Sequence, residues 1–177
     1  EFRRVLFRSR EPFTLAFATA NSEAALPKAF ELMEKLGVPR GIVGFVLPAG
    51  YSFNLDGSTL QLAVASVFVA QAAETTTGIH FSIEQQITMM LMLMLTSKGV
   101  AAVPRASFVV LVAALESFKL PVAGAFLILG VDALLDMART SVNVLGNCLA
   151  SVVVARWEGE FDDAKAQANF GTAAATV

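Results

Sequence analysis

The feature that most constrains this chain is a pair of apolar segments, the first of which is interrupted by polar residues. Segments 42–73 and 122–155 both exceed the roughly 20 residues that a helix needs to cross a bilayer. The first is broken near its middle, at 50–57. Helix breaks in hydrocarbon persist only where protein or water surrounds them, and they are typical of transporter binding sites. The pattern predicts an all-α membrane protein.

Composition supports this prediction. The chain has 177 residues, of which 55% are hydrophobic and 16% charged, whereas about a quarter of a soluble domain is charged. A soluble all-helical protein with a large core is the alternative, and it explains the interrupted segment less well. A formal net charge of −2 without a basic tract gives no reason to expect a nucleic-acid partner.

Chemistry typical of enzymes is not indicated. No nucleophile–base pair, metal cluster or phosphate loop stands out, so we expect neither an enzyme nor an organic cofactor. The single cysteine, Cys148, excludes a disulfide within the chain. The single His80 lacks the convergent partners of a metal site and is interpreted as a loop or interface residue.

Three shorter apolar stretches predict two re-entrant helical hairpins. Segments 83–95 and 106–115 are too short to cross a membrane alone, and a turn at 96–105 containing Gly and Pro joins them. They fit a hairpin that enters and leaves on the same side. Segment 12–36 is predicted to form another such hairpin.

The two ends of the chain differ from its middle. Residues 1–9, EFRRVLFRS, resemble the in-frame translation of a common sequencing adapter, so we do not interpret them as part of the native fold. The alternative is a genuine basic lead-in before a membrane segment. The rest of the chain divides into 10–157, which contains the predicted membrane segments, and a tail at 158–177 that we expect to fray.

Basic residues indicate an orientation. Only Lys119 lies in the loops expected on the other side, and by the positive-inside tendency the C-terminus is predicted to be cytoplasmic. The basic residues expected to share the cytoplasmic side are Lys28, Lys35, Arg40, Arg156 and Lys165.

Two groups of polar residues interrupt the predicted spans. Asp136, Arg139 and Asn143 share one helix face, which Asp132 extends by one turn. Ionisable groups are costly there, so they indicate either a binding site or an Asp–Arg pair that neutralises itself. The run NLDGS at 54–58 offers hard oxygen ligands for a small cation, or else forms a capped turn.

Four motifs together resemble the dicarboxylate/amino acid:cation symporter family, which includes the glutamate transporters. The resemblance covers about residues 10–163. The motifs are SEAALP at 22–27, NLDGS at 54–58, GVAAVP at 99–104, and DMART at 136–140 followed by Asn143. They match, in this order, the first hairpin, the broken helix, the tip of the second hairpin and the last helix of the family.

The resemblance implies a secondary active symporter working by an elevator mechanism. It would import aspartate or glutamate, coupled to sodium ions and/or protons; the alternative is a C4-dicarboxylate such as succinate, malate or fumarate. It also implies a homotrimer held through a scaffold domain outside this chain, in contact with lipid in the inner (plasma) membrane.

The resemblance also implies roles for individual residues. Arg139 would hold the substrate's side-chain carboxylate and Asp136 its ammonium, with further contacts from Ser22, Ser58, Val103, Thr140 and Asn143. One cation site would use the Gly50 carbonyl with Asn54, Asp56 and Asn143. A second would use Ser52 with the carbonyls of Ser97, Lys98 and Val100.

Asn147 is the main departure from the family pattern. Many sodium-coupled members have an acidic residue at this position of a cation site. The site in this chain would lack one formal charge, so that coupling to fewer sodium ions or to a proton is open.

Overall fold

The computed structural model describes residues 5, 7–78, 80–97 and 106–170, and this part of the chain contains helices and no strands. The prediction of an all-α chain is therefore confirmed there. The helices are α1 (Arg10–Thr19), α2 (Ser22–Lys35), α3 (Arg40–Phe53), α4 (Asp56–Thr77), α5 (Ile83–Thr96), α6 (Ala106–Ser117), α7 (Ala123–Leu129), α8 (Asp132–Trp157) and α9 (Asp163–Phe170).

The two-residue connection between α1 and α2 reverses the chain. Ala20 adopts the left-handed conformation, with φ 48°, and ends α1. Asn21 then caps α2, because its Oδ1 accepts a hydrogen bond of 2.8 Å from the backbone N–H of Glu23. The helices pack against each other along segment 12–36.

The first predicted span contains a shorter break than the sequence indicated. Helix α3 continues through 50–53 and ends at Phe53, where the N–H of Asn54 still bonds to the Gly50 carbonyl at 2.8 Å. Only Asn54 and Leu55 lie between α3 and α4. The i to i−4 hydrogen bond satisfies this last turn, so the predicted break at 50–57 is too wide.

The second predicted span, 122–155, is divided into two helices, so its predicted start at 122 is wrong. Helices α7 and α8 are separated by Gly130 and Val131, and only α8 is long and apolar enough to cross a membrane. Glycine is a poor helix former, and the acidic Asp132 is favoured in the first turn of a new helix. Asp132 therefore opens the spanning helix rather than lying within it.

Helix α8 is the centre of the packing. It contacts α1, α2, α3 and α4. One apolar cluster joins it to α1–α3 through Met33, Leu47, Val144 and Val152. A second cluster lies among α4–α7 and includes Leu62, Met89, Leu115 and Ala125.

Large apolar side chains are also exposed on several helices. Such extensive exposure is atypical of a soluble domain and is expected for surfaces that meet lipid or further protein. The most exposed include Phe45, Leu60, Ile83, Leu95 and Val109. Two segments, Arg40–Thr75 and Asp132–Trp157, are long and apolar enough to cross a membrane.

The tail is ordered on the end of α2, so the prediction that it frays is wrong for 163–170. The N–H of Asp162 bonds to the Gly37 carbonyl at 2.9 Å, and Asn169 Nδ2 donates to the Lys35 carbonyl at 2.9 Å. Arg156 on α8 forms hydrogen bonds of 2.7 and 2.6 Å with the carboxylate of Asp163. Residues 171–177 lie outside the described part.

Candidate functional site

The break between α3 and α4 is held by one side chain of α8. Asn143 Oδ1 accepts hydrogen bonds from the backbone N–H groups of Gly57, at 2.8 Å, and Ser58, at 3.3 Å. Its Nδ2 donates to Ser58 Oγ at 3.1 Å. These backbone groups belong to the first turn of α4, which has no helical partner for them. Asn143 therefore caps α4 from another helix.

Asp136 and Arg139 form a half-buried ion pair on α8. Nε of Arg139 donates to Asp136 Oδ1 at 2.5 Å, and the side chains are 12% and 19% exposed for Arg139 and Asp136 respectively. Nη1 of Arg139 also donates to Ser107 Oγ of α6. Thr140, the next residue along α8, is buried. The guanidinium is thus held from two helices.

Three glycines allow the broken helix to approach α8 closely. A Cβ at Gly57 would collide with the Arg139 carbonyl, and a Cβ at Gly50 would collide with Asn147 Oδ1. On the α8 side, a Cβ at Gly146 would collide with a carboxylate oxygen of Asp56. Since each contact involves backbone or a polar atom of the site, all three glycines help to define its shape.

Asn54, Asp56 and Asn147 form a second polar cluster beside the break. Asn54 Nδ2 donates to Asn147 Oδ1 at 3.0 Å, which leaves Asn54 Oδ1 facing the carboxylate of Asp56. In the other amide orientation, Asn54 would donate to the two Asp56 oxygens at 3.0 and 3.3 Å. Nδ2 of Asn147 is buried without a hydrogen-bond partner among the described residues.

A cavity of about 340 Å³ lies next to Asp136, between the end of α1 and the start of α8. Thr19, Ala20, Asp132 and Asp136 are among its lining residues. Ser22 begins α2 two residues after Ala20 and is partly buried. The α1–α2 connection thus lies beside the ion pair, although Ser22 itself does not line this cavity.

The second predicted cation site is placed only in part. Ser97 is fully buried, and its Oγ lies 3.1 Å from Thr59 Oγ1 on α4. Ser52 is exposed on α3. The predicted ligands Lys98 and Val100 lie outside the described residues, as does the predicted substrate contact Val103. This second site therefore stays a prediction.

Two features of the site were missed by the sequence reasoning. Ser107 carried no signal, because nothing local shows that a serine 32 residues before Arg139 contacts it. Gly146 could have been found, since it lies three residues after Asn143 on the same helix face, where a small residue allows close approach. No group of three His, Cys, Asp or Glu side chains arranged for a metal occurs in the described part.

Similarity to known proteins identifies the family of this chain. The model of the sodium:dicarboxylate symporter family matches residues 1–157. The chain belongs to this family. The family and the relatives below are transporters, so the prediction that the chain is not an enzyme is confirmed. The assignment of residues 1–9 to an adapter stays a prediction.

Curated relatives include both glutamate and dicarboxylate transporters. A proton/sodium-glutamate symport protein of Bacillus caldotenax is 51% identical over 88% of this chain and 36% of the relative. The Escherichia coli proton/glutamate-aspartate symporter is 52% identical over 90% and 36%, respectively. A C4-dicarboxylate transport protein 2 of Mesorhizobium japonicum is 49% identical over 93% and 37%. The chain spans little more than a third of these relatives.

Proposed function

We propose that the protein containing this chain imports acidic amino acids, aspartate or glutamate, with sodium ions and/or protons. The observation that carries the proposal is the Asp136–Arg139 pair, held on α8 directly against the broken helix at Gly57. A buried ion pair contributes little net stability, because desolvation offsets its attraction. Its position beside a helix break and a cavity favours ligand binding over a purely structural role.

The chemistry of the pair fits an amino acid with two carboxylates. The guanidinium of Arg139 is shaped for bidentate binding of the distal carboxylate, and Asp136 can accept the ammonium group. Arg139 and Asp136 would each exchange one partner for another, so neither of these two buried charges is left unpaired. Asn143, Thr140, Ser58, Ser22 and Val103 are proposed to surround the rest of the substrate.

A C4-dicarboxylate is the second candidate, and one contact favours it. Asp136 is already bound to Arg139, and a dicarboxylate has no ammonium group to draw it away. The named C4-dicarboxylate transport proteins among the relatives support the same candidate. Arg139 would then bind a substrate carboxylate while Asp136 continued to orient the guanidinium.

The coupling cation is proposed to bind at the polar cluster beside the break. The Asp56 carboxylate lies beside the side-chain amides of Asn54 and Asn147, and carboxylate and amide oxygens are ligands that suit a hard cation. The Gly50 carbonyl and Asn143 would complete this site, and Ser52 with Ser97, Lys98 and Val100 would form the second. Because Asn147 is neutral, Asp56 supplies the formal charge, and a proton can substitute for sodium as the coupling ion.

We propose a matching arrangement in the membrane. Helices α1–α2 and α5–α6 would be re-entrant hairpins of a transport domain at 10–157, moving as an elevator against a scaffold that also forms the homotrimer. The tail packs on Lys35 and Gly37, close in sequence to the basic Arg40, which supports a cytoplasmic C-terminus in the inner (plasma) membrane. The exposed apolar side chains would meet lipid or scaffold.

The test is uptake of labelled aspartate, with succinate as competitor, into proteoliposomes containing the complete gene product under a sodium or proton gradient. Arg139→Ala should abolish uptake of either substrate, whereas Arg156→Ala, at the far end of the same helix, should not. Unchanged aspartate uptake in Arg139→Ala would refute the site.

Asp136→Asn separates the two candidate substrates. The variant should lose aspartate uptake if Asp136 binds the ammonium group. Succinate uptake with aspartate ignored by the unmodified protein would assign it to the dicarboxylate transporters, with Asp136 as the structural partner of Arg139.

A further inference from the structure

Arg139 has a second hydrogen-bond partner, Ser107, on a different helix from its ion-pair partner Asp136. Ser107 lies in the first turn of α6 and is only 4% exposed. Its hydroxyl oxygen accepts a hydrogen bond from Nη1 of Arg139. A hydroxyl has two acceptor lone pairs and one hydrogen, so this bond leaves its O–H free to donate.

The two partners of Arg139 restrain different parts of the guanidinium. Asp136 binds Nε and Nη2 from the same helix, three residues away. This contact fixes one edge of the guanidinium, but only relative to α8, because both residues belong to that helix. Ser107 binds Nη1 from a different helix, so it fixes the other end relative to α6. A planar group held at both ends cannot rotate about its long side chain.

Helix α6 packs against α4, α5 and α7. The hydrogen bond of Ser107 is therefore a specific link from α6 to α8, made through the guanidinium that is proposed to bind the substrate. Arg139 has a flexible side chain, and ordering it at the moment of binding would cost conformational entropy.

We propose that Ser107 is a positioning residue for carboxylate recognition, which holds the Arg139 guanidinium in the orientation that binds the substrate's carboxylate. This inference rests on the proposed function of Arg139. It predicts that a hydroxyl at position 107 sets substrate affinity without setting the transport rate or the cation dependence.

The experiment uses the complete transporter in proteoliposomes and measures aspartate, or succinate if that is the substrate transported. Ser107→Ala should raise KM roughly twofold to tenfold, because the Arg139 side chain must then be ordered at the moment of binding. Maximal uptake and the cation concentration for half-maximal uptake should stay within about twofold. Ser107→Thr keeps the hydroxyl and should restore most of the affinity.

Ser117→Ala is the matched control. Ser117 lies on the same helix and is exposed, and its hydroxyl donates to the Ala113 carbonyl of its own helix at 2.8 Å. This variant should transport like the unmodified protein. Should Ser107→Ala fail to fold, Ser107→Cys keeps the side-chain volume while replacing the oxygen by a weak acceptor, and the same rise in KM is expected.

Two results would overturn the inference. One is an unchanged KM in folded Ser107→Ala; the other is a fall in maximal uptake at constant KM, as expected of a purely structural serine. Failure of the proposed function looks different. If Arg139→Ala still transports the substrate, the site itself is wrong, whereas loss in Arg139→Ala with no effect in Ser107→Ala rejects only the role of Ser107.

Discussion

Replacing Asn143 by alanine should destabilise the protein more than any other single polar substitution at the site. The change removes three hydrogen bonds, from the N–H groups of Gly57 and Ser58 and to the hydroxyl of Ser58. Both N–H groups lie in buried residues of the first turn of α4 and would lose their acceptor. Unmet buried donors cost about 1–3 kcal/mol each, so two of them predict a loss of about 2–6 kcal/mol.

Two companion variants test how that loss is divided. Asn143→Asp keeps the acceptor and places a negative charge at a helix N-terminus, but it also buries a second carboxylate in the site that holds Asp56, so it should recover only part of the stability. Ser58→Ala removes only the hydroxyl and should cost about 0.5–1.5 kcal/mol, the net value of one hydrogen bond. The loss of stability should therefore be largest in Asn143→Ala and smaller in each of the single variants Asn143→Asp and Ser58→Ala.

The assay is thermal unfolding of the purified complete transporter in detergent, with uptake measured in parallel. If Asn143→Ala and Ser58→Ala lower the unfolding temperature equally, the two N–H groups do not depend on Asn143, and the reasoning about the cap is refuted. Equal losses in Asn143→Ala and Asn143→Asp would show instead that burying the new carboxylate costs as much as the restored acceptor contributes.

Three further outcomes are expected. Gly57→Ala should abolish uptake and lower the unfolding temperature because its Cβ would meet the Arg139 carbonyl, whereas Gly44→Ala, which meets nothing within 4 Å, should be tolerated in both assays. Asn147→Asp would bury a second carboxylate beside Asp56, so the unfolding temperature should fall in sodium-free buffer and recover with added sodium; a sodium-independent fall would argue against a cation there. Gly37→Ala, at φ 97° and against the Asp162 backbone, should cost at least about 1 kcal/mol and release the tail to limited proteolysis, while a tail as resistant as before would contradict that packing.

The helices were predictable from sequence where apolar periodicity and breakers agreed. The stretch 83–95 became α5 with one residue added, because it is bounded by the Ser82–Gln85 capping box and by polar residues. The predicted helix boundaries were wrong where a hydrogen bond lets a helix continue through residues that usually end one. Helix α3 runs through Gly50, since the close approach to Asn147 needs that glycine without needing a break.

The site was predictable as a set of residues and not as a set of contacts. The spacing of Asp136, Arg139 and Asn143 placed them on one face of α8, and the structure brings that face against the broken helix. The partners from elsewhere in the chain could not be predicted. Ser107 and Thr59 reach the site through packing of α6 and α4, which leaves no periodic signal in the sequence.

The tail is a segment for which composition predicted less structure than the chain forms. Its charged and Ala-rich composition predicted fraying, yet the Gly37 carbonyl accepts a hydrogen bond from the N–H of Asp162 and the Lys35 carbonyl accepts one from Asn169 Nδ2. Composition describes what a segment can bury by itself. It does not describe the unpaired carbonyls at the end of α2, which accept hydrogen bonds from the tail.

The break in the first span links folding to function. A two-residue interruption exposes backbone groups that cost several kcal/mol each in hydrocarbon, so it must be satisfied by a neighbour. Asn143 satisfies it from α8, and the glycines that let α8 come close enough also bring Arg139 beside Gly57 and Asn147 beside Gly50. The arrangement that makes the break tolerable is therefore the one that assembles the proposed substrate and cation sites. Substitutions at the contact surface of α8 should change stability and ligand binding together, whereas Ser107, whose hydroxyl accepts a hydrogen bond from the Arg139 guanidinium, offers a way to change binding alone.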